Sequence, residues 1–269
     1  MISKWHPWLY RACVAAHRTR RRVRDLRRRP WASQRPGVVT DTLVAEAASP
    51  LQRRYAGVDP ELQRNKRHNL QLAIGTLDGQ VLSPGESLSF WRCVGNPTAG
   101  RGYRPGLVLA HGRLDAGVGG GLCQLSNMLH WLALHTELAV VERHHHGHDL
   151  FPDDGRLVPF GTGATVFYNY LDLRLLNPGP DAYRIRLWVT EHELRGEIRA
   201  DRPPGLMYEV VEEDHRFRRT PNGLVRENLL YRVARDRATG APAGRHLLAH
   251  NVFPVLYEPG PGVKIASSR

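Results

Sequence analysis

Residues 117–126 read Gly-Val-Gly-Gly-Gly-Leu-Cys-Gln-Leu-Ser, which places Cys123 where a glycine-rich loop gives way to an apolar helix. The unpaired N–H groups and partial positive charge of a helix N-terminus favour a thiolate and leave donors for an oxyanion. Glycines let the backbone approach a substrate closely. We therefore predict that Cys123 is a nucleophile and that Gly119, Gly120 and Gly121 contact substrate. The alternative is a small buried core residue, a common position for a free cysteine.

The helix that follows is predicted to be buried on most sides, because its leucines recur at spacings of three and four residues and other apolar side chains broaden their face. Polar side chains nevertheless crowd its first turns, and a core helix seldom begins with so many groups that need hydrogen-bond partners. Cys123, Asn127 and His130 align on a second stripe. We predict that Gln124 helps to stabilise an oxyanion and that Ser126 and Asn127 contact substrate.

Beyond this helix the apolar period changes from helical to alternating, which is typical of half-buried antiparallel strands. The sequence therefore predicts an α+β fold in which a buried central helix packs on a mostly antiparallel sheet, an arrangement analogous to papain-like and transglutaminase-like enzymes. The predicted helices cover residues 40–48 and 61–74, and the predicted strands cover residues 80–82, 88–93, 138–141, 165–168, 171–176, 183–189, 207–211, 224–233 and 247–256.

The formal charge of +12 is concentrated near the N-terminus, where residues 18–29 hold eight arginines and one aspartate. We expect a solvated or loosely helical arm without a specific nucleic-acid partner, because no zinc-finger, RRM or KH pattern accompanies it. The residues before the arginines are aromatic and apolar, so the arm is also a candidate for peripheral contact with a membrane. No stretch approaches the roughly 20 apolar residues of a membrane span.

Three segments follow from these patterns. Residues 1–58 are predicted to be the Arg-rich arm with short helices, residues 59–200 the domain with the cysteine and histidine motifs, and residues 201–269 further antiparallel strands of the same domain. The three cysteines form no CxxC pair, which suits a reducing compartment. We expect a cytoplasmic or membrane-peripheral protein that needs no cofactor.

A run of histidines at residues 144–148 is the second candidate for chemistry, and three interpretations of it stay open. His146 or His144 would be the base that takes the proton of a nucleophilic thiol. His144, His146 and His148 also alternate in an extended chain, so they would point the same way as metal ligands, with Asp149 as a further ligand. The third interpretation is a polar strand end. We predict the base, no metal, and a substrate contact at His148.

The acid that orients this base is predicted to be Asp172. It faces away from the apolar side of its strand, whereas Asp153 and Asp154 lie in a turn where we expect them to be solvated. A plain ion pair between Asp172 and Arg174 is the alternative.

Four separated motifs, in this order along the chain, resemble the VanW family. They lie at residues 119–127, 142–149, 159–165 and 168–173, and shorter similar segments lie upstream at residues 83–86, 89–91 and 102–103. The resemblance covers roughly residues 69–177 and leaves the arm outside.

The resemblance implies an association with glycopeptide (vancomycin) resistance or cell-envelope biology, and it does not identify a reaction. Together with the cysteine and histidine motifs it predicts cysteine-dependent acyl transfer or amide hydrolysis on a peptide or peptidoglycan-precursor-like ligand. The alternatives are a non-catalytic ligand-binding accessory module and a His-rich metal site.

Overall fold

The computed structural model describes residues 7–27, 30–51, 59–110, 113–145, 147–149, 152, 158–260 and 263–266. It confirms the predicted α+β class, since helices in these ranges accompany strands that pair mostly antiparallel. The helices are α1 (Pro7–Arg27), α2 (Pro60–Leu77), α3 (Phe90–Val94) and α4 (Leu122–Leu134). The strands are β1 (Ser33–Gln34), β2 (Thr42–Pro50), β3 (Gln80–Leu82), β4 (Ser87–Ser89), β5 (Pro105–Ala110), β6 (Arg113–Val118), β7 (Ala139–Glu142), β8 (Arg174–Leu176), β9 (Tyr183–Val189), β10 (Glu193–Ala200), β11 (Leu206–Thr220), β12 (Gly223–Asp236), β13 (Pro242–Pro254) and β14 (Ile265–Ala266).

The central sheet is antiparallel and has the strand order β1-β3-β9-β10-β2. Alternate residues of β9 and β10, such as Tyr183, Ile185 and Ile198, are buried on one face, as the period of a strand requires. The apolar side of α4 packs on this face. Gly196 of β10 permits the close approach, because a Cβ there would lie 2.9 Å from Cδ1 of Leu132 in α4. The predicted buried central helix is therefore confirmed.

The start of helix α2 is set by an N-terminal cap and a proline. The carboxylate of Asp59 accepts a hydrogen bond of 2.7 Å from the N–H of Glu61, and Pro60 occupies the first turn. The sequence predicts an end at Gly75, but the helix continues to Leu77, whose side chain is buried in the core. The burial of Leu77 outweighs the helix penalty of one glycine, which is about 1 kcal/mol.

The turn that leads into α4 is fixed by contacts with the β5–β6 hairpin and with α2. A Cβ on Gly120 would overlap the carbonyl of Gly106, which lies in the β5–β6 hairpin. Buried Asn69 of α2 donates hydrogen bonds to the carbonyls of Gly120 at 3.0 Å and Arg104 at 2.9 Å. The start of α4 is thus fixed to α2 and to the hairpin.

Three predictions of secondary structure are wrong. Residues 40–48 were expected to be helical, but most of them lie in β2, which pairs with β10, so the central sheet extends across the predicted boundary at residue 58. Residues 88–93 are not one strand, because β4 ends at Ser89, whose hydroxyl accepts from the N–H of Arg92 and caps α3. Residues 165–168 form a single bridge, between Phe167 and Leu171. Pairing with the distant β10 decides the first case, whereas a local cap at Ser89 and a local bridge at Phe167 decide the other two.

The Arg-rich segment is a docked helix, which corrects the expectation of a solvated arm. Arg21 of α1 donates to both carboxylate oxygens of Glu142, at 2.6 and 2.8 Å. Asp25 accepts two hydrogen bonds from the buried Arg174, at 2.7 and 2.8 Å. The carbonyl of Arg18 accepts from the side chain of Asn169 at 3.2 Å. Ion pairs therefore hold α1 against β7 and β8, and the hydrogen bond from Asn169 connects it to the long segment between these strands.

The C-terminal residues form a second sheet in the order β13-β12-β11-β14, antiparallel except for the β11–β14 pair. Buried Asp149 connects the histidine run to this sheet, because it accepts from Arg226 at 3.1 Å and from the Tyr257 hydroxyl at 2.8 Å. Asn228 donates to the carbonyl of Phe160 at 2.9 Å. The grouping of residues 201–269 with the preceding domain stays a prediction.

Gly120→Ala is expected to lower the free energy of unfolding by about 1–3 kcal/mol, because the new methyl group overlaps fixed backbone. Gly75→Ala is the matched control. Open space surrounds this exposed helical position, so the change should raise stability by up to about 1 kcal/mol. Urea unfolding followed by circular dichroism measures both, and equal stability of the two variants would contradict the packing of Gly106 on Gly120.

Candidate active site

Cys123 lies in the first turn of α4, as the sequence predicts, because the helix begins at Leu122 after Gly121 in the left-handed conformation. Its Sγ lies 3.8 Å from the carbonyl oxygen of Val166, to which the thiol donates. Burial raises the pKa of the Cys123 thiol, and backbone hydrogen bonds with Val166 and with Cys123 itself offset this in part. This direction opposes the expected thiolate, because desolvation disfavours the charged form of the thiol.

The three glycines before α4 were predicted to contact substrate, but the structure accounts for each of them by close approaches within the chain. Gly119 and Gly121 have φ values of 79° and 95°. A Cβ on Gly119 would lie 2.7 Å from Pro97, and one on Gly121 would overlap the side chain of Lys66. Gly120 packs on the hairpin as described above. The glycines are therefore needed for the conformation and packing of the loop before α4.

The polar stripe of α4 binds the backbone of one irregular segment, residues 161–166, which we call the clamped segment. Cys123 donates to Val166, Ser126 donates to the carbonyl of Ala164 at 2.6 Å, and Asn127 accepts from the N–H of Ala164 at 2.6 Å. The predicted substrate contacts Ser126 and Asn127 therefore bind protein backbone.

His130 extends this stripe by one turn. Its Nδ1 lies 2.8 Å from the carbonyl oxygen of Thr162. Burial lowers the pKa of His130 to about 4, an effect that the nearby charge of Arg143 reinforces. His130 is therefore neutral at physiological pH and serves as a hydrogen-bond donor to the clamped segment.

The other edge of the clamped segment meets the chain that leads into the histidine run. Arg143 donates from Nε to the carbonyl of Gly163 at 2.9 Å and from Nη2 to the carbonyl of Gly161. The carbonyl of His144 accepts from the N–H of Thr165 at 2.7 Å. Cys123 and His144 thus lie on opposite sides of the same short segment.

The imidazole of His144 is paired with a carboxylate that sequence reasoning missed. Its Nε2 lies 3.1 Å from Oε1 of Glu142. Burial acts to raise the pKa of Glu142, but the hydrogen bond and charge of Arg21, together with His144 and Arg174, lower it to about 2. A signal for Glu142 existed in the sequence, because residues two apart on an extended chain share a face.

The other histidines of the run do not join this pair. The ring of His145 stacks on Phe253, with centroids 5.0 Å apart, and His148 is exposed. The predicted base His146 lies outside the described residues. Within the described part of the chain, no three histidine, cysteine or acidic side chains are arranged to hold a metal ion. Asp149, the further metal ligand considered, is bound to Arg226 and Tyr257.

Asp172 was predicted to orient the histidine, and its contacts correct this. The side chain is 0% exposed, and its oxygens accept from the Ser89 hydroxyl at 2.6 Å, the Trp91 N–H at 3.1 Å and Arg174 Nε at 2.9 Å. Burial raises the pKa of Asp172 in opposition to these donors. Asp172 ties β8 to the start of α3, and the ion pair with Arg174 that was the alternative is present.

Gln124 was predicted to stabilise an oxyanion, but its side chain turns towards β2. Its Nε2 donates to Oγ of Ser49 at 2.9 Å and to the carbonyl of Pro50 at 2.8 Å. Gln124 therefore joins α4 to the edge of the central sheet. The donors that α4 can offer to a developing negative charge are the backbone N–H groups of its first turn.

Comparison with known proteins adds the family. The family model described as "VanW like protein" matches residues 65–199. The chain is 32% identical over 215 residues to the vancomycin B-type resistance protein VanW of Enterococcus faecalis, which covers 80% of this chain and 78% of that protein. It is 30% identical over 139 residues to the uncharacterized protein YoaR of Bacillus subtilis, or 52% of this chain and 44% of that protein. No solved structure matches the chain.

The range matched by the family model contains the clamped segment, Cys123 and the Glu142–His144 pair. The chain belongs to the VanW family.

Proposed function

We propose that this protein serves glycopeptide resistance or cell-envelope metabolism as a cysteine-dependent enzyme. The reaction is acyl transfer or amide hydrolysis on a peptide of the peptidoglycan-precursor type. The biological setting rests on the name of the relative from Enterococcus faecalis, and the reaction rests on the chemistry of Cys123 and His144.

The observation that carries the proposal is the Glu142–His144 pair beside the clamped segment. A carboxylate that stays ionised stabilises the imidazolium formed when a histidine accepts a proton. Glu142 meets this requirement, since its pKa is lowered to about 2. When Glu142 accepts from Nε2 of His144, the basic nitrogen is Nδ1. Cys123, on the other side of the segment, supplies the thiol.

A protonated thiol needs such a base. As Sγ of Cys123 adds to the substrate carbonyl carbon, a bridging water carries its proton to His144, since the clamped segment lies between the two side chains. The first-turn N–H groups of α4 stabilise the oxyanion. Collapse of the tetrahedral intermediate expels the amine, which takes the proton from His144. The thioester then passes its acyl group to water or to an acceptor amine. A thiol in the first turn of a helix packed on an antiparallel sheet is analogous to papain-like and transglutaminase-like enzymes.

This proposal assigns two roles to other groups than the sequence predicts. Glu142 replaces Asp172 as the acid that orients the base, because Glu142 is the carboxylate bonded to a described imidazole. The backbone of α4 replaces Gln124 as the donor to the oxyanion. His144 takes the role of base, and substrate contacts by the exposed His148 stay a prediction.

Non-catalytic ligand binding is the second candidate, and the polar stripe of α4 favours it. Ser126, Asn127 and His130 are all occupied by the clamped segment, and the Cys123 thiol is half-buried and donates to Val166. In this alternative, the stripe has a structural role and the motif shapes a recognition surface for an envelope ligand.

The thiol of Cys123 in the free protein is expected to react slowly with iodoacetamide at neutral pH, with a rate that rises through a midpoint above the usual value of about 8.5. The reason is that a raised pKa leaves little thiolate at pH 7. Peptide mapping by mass spectrometry separates Cys123 from the exposed Cys13. A midpoint below 7 would contradict the burial of the thiol.

Glu142→Gln is expected to reduce turnover of a peptidoglycan stem peptide by roughly 10²–10⁴-fold, because a neutral amide no longer stabilises the His144 imidazolium. Cys123→Ala should abolish turnover and the acyl-enzyme adduct seen by mass spectrometry. Glu213→Gln is the matched control, since Glu213 is an exposed partner of Arg245. Turnover that survives in Cys123→Ala would sink the proposed reaction.

Cys123→Ser separates the enzyme from the binding module. A hydroxyl preserves the hydrogen bond to Val166 but is a far weaker nucleophile, so an enzyme loses its contribution to vancomycin resistance in a host strain while a binding module keeps it. The inhibitory concentration of vancomycin is the measurement. Thermal unfolding of both proteins checks that the variant is folded.

A further inference from the structure

Helix α1 carries its polar contacts on the face that meets the protein. Arg18, Arg21 and Asp25 follow one another at spacings of three and four residues, so they share that face. Arg18 lies over the ring of Tyr168 at 5.0 Å, Arg21 binds Glu142, and Asp25 binds Arg174. The ion pairs are on the inside, which is the reverse of an ordinary surface helix.

A stripe of α1 that points away from this face is apolar and exposed. Val23 is 49% exposed, Leu26 is 71% exposed, and Trp8 near the start of the helix is 66% exposed. The small residues Ala12 and Thr19 are also exposed and continue the same stripe at helical spacing. We call this set the outer stripe.

Arginines border the outer stripe on both sides. Viewed down the helix axis, Arg22 lies on one side of the outer stripe, and Arg20 and Arg24 lie on the other side. All three are exposed, although Arg24 also reaches Glu142 at 3.3 Å. The helix as a whole contains seven arginines and one aspartate. Arginine side chains can lay their apolar stems along a surface while the guanidinium groups reach charged headgroups.

We propose that the outer stripe of α1 binds the surface of an anionic lipid bilayer. A narrow apolar stripe flanked by cationic residues is the pattern of a helix that lies in the plane of a membrane interface. Among the described helices, none is both long and apolar enough to cross a bilayer, so the contact is peripheral. The inner ion pairs stay intact in this orientation, because they lie on the other side of the helix.

Membrane contact would place the candidate site beneath the lipid surface. The carboxylate that α1 holds through Arg21 and Arg24 is Glu142, the partner of His144. The proposal rests on the two faces of α1 and does not depend on the proposed enzymatic activity.

The test is co-sedimentation of the full chain with vesicles. We expect binding to vesicles that contain phosphatidylglycerol, weak binding to phosphatidylcholine alone, and a decline with added salt. Arg20→Gln combined with Arg22→Gln should weaken binding to the anionic vesicles by roughly 30-fold, since each surface arginine near an anionic leaflet contributes about 5-fold. Val23→Glu combined with Leu26→Glu should abolish it.

Arg195→Gln combined with Arg245→Gln is the matched control, because both arginines are half-exposed on strands and the charge change is the same. Equal binding to neutral and anionic vesicles, or equal loss in the control, overturns the proposal. Sedimentation velocity without lipid tests the other possible partner of the outer stripe, a second copy of the chain. If Val23→Glu with Leu26→Glu changes the oligomeric state and leaves vesicle binding unchanged, the outer stripe joins copies of the chain, and the proposal is wrong.

Discussion

The site depends on one requirement: residues 161–166 belong to no strand, so the polar groups of their backbone need partners outside a sheet. Helix α4 supplies them on one side through Cys123, Ser126, Asn127 and His130, and Arg143 with the His144 carbonyl supplies them on the other. Buried backbone donors and acceptors without partners cost about as much as a lost hydrogen bond each. The motif residues therefore first build the site, and only the thiol and the Glu142–His144 pair bring chemistry of their own to it.

A buried network of charges sits next to this segment and links it to α1. Arg174 lies between Asp25 and Asp172, and Arg21 lies between Glu142 and the carbonyl of Tyr170. Burying such charges is favourable only when each has close partners, and removing one partner leaves the other uncompensated. This constraint explains two features together: α1 is docked rather than solvated, and Glu142 stays ionised beside His144.

The proposed acyl-transfer reaction rests on two groups, the Cys123 thiol and the Glu142–His144 pair. Burial raises the pKa of the Cys123 thiol, so the activating step of the proposed reaction is removal of a proton rather than preformation of a thiolate. His144, partially exposed and bound to the ionised Glu142, is the group to which we assign that step in the proposed reaction. If α1 lies on a membrane surface, the same helix that stabilises Glu142 also orients the site with respect to lipid.

The sequence by itself determined the α+β class, the start of α4 at Leu122 with Cys123 in its first turn, and the family. These follow from periodicity, glycine positions and ordered motifs, all of which are local in the chain. Tertiary structure decided the rest. Residues 42–50 form a strand because they pair with β10, and the side chain of Gln124 donates to Ser49. Glu142, and not Asp172, binds the imidazole of His144. A polar side chain forms a hydrogen bond only with a partner that lies within about 3 Å in the folded protein. The spacing of residues along the chain does not predict which partner that is.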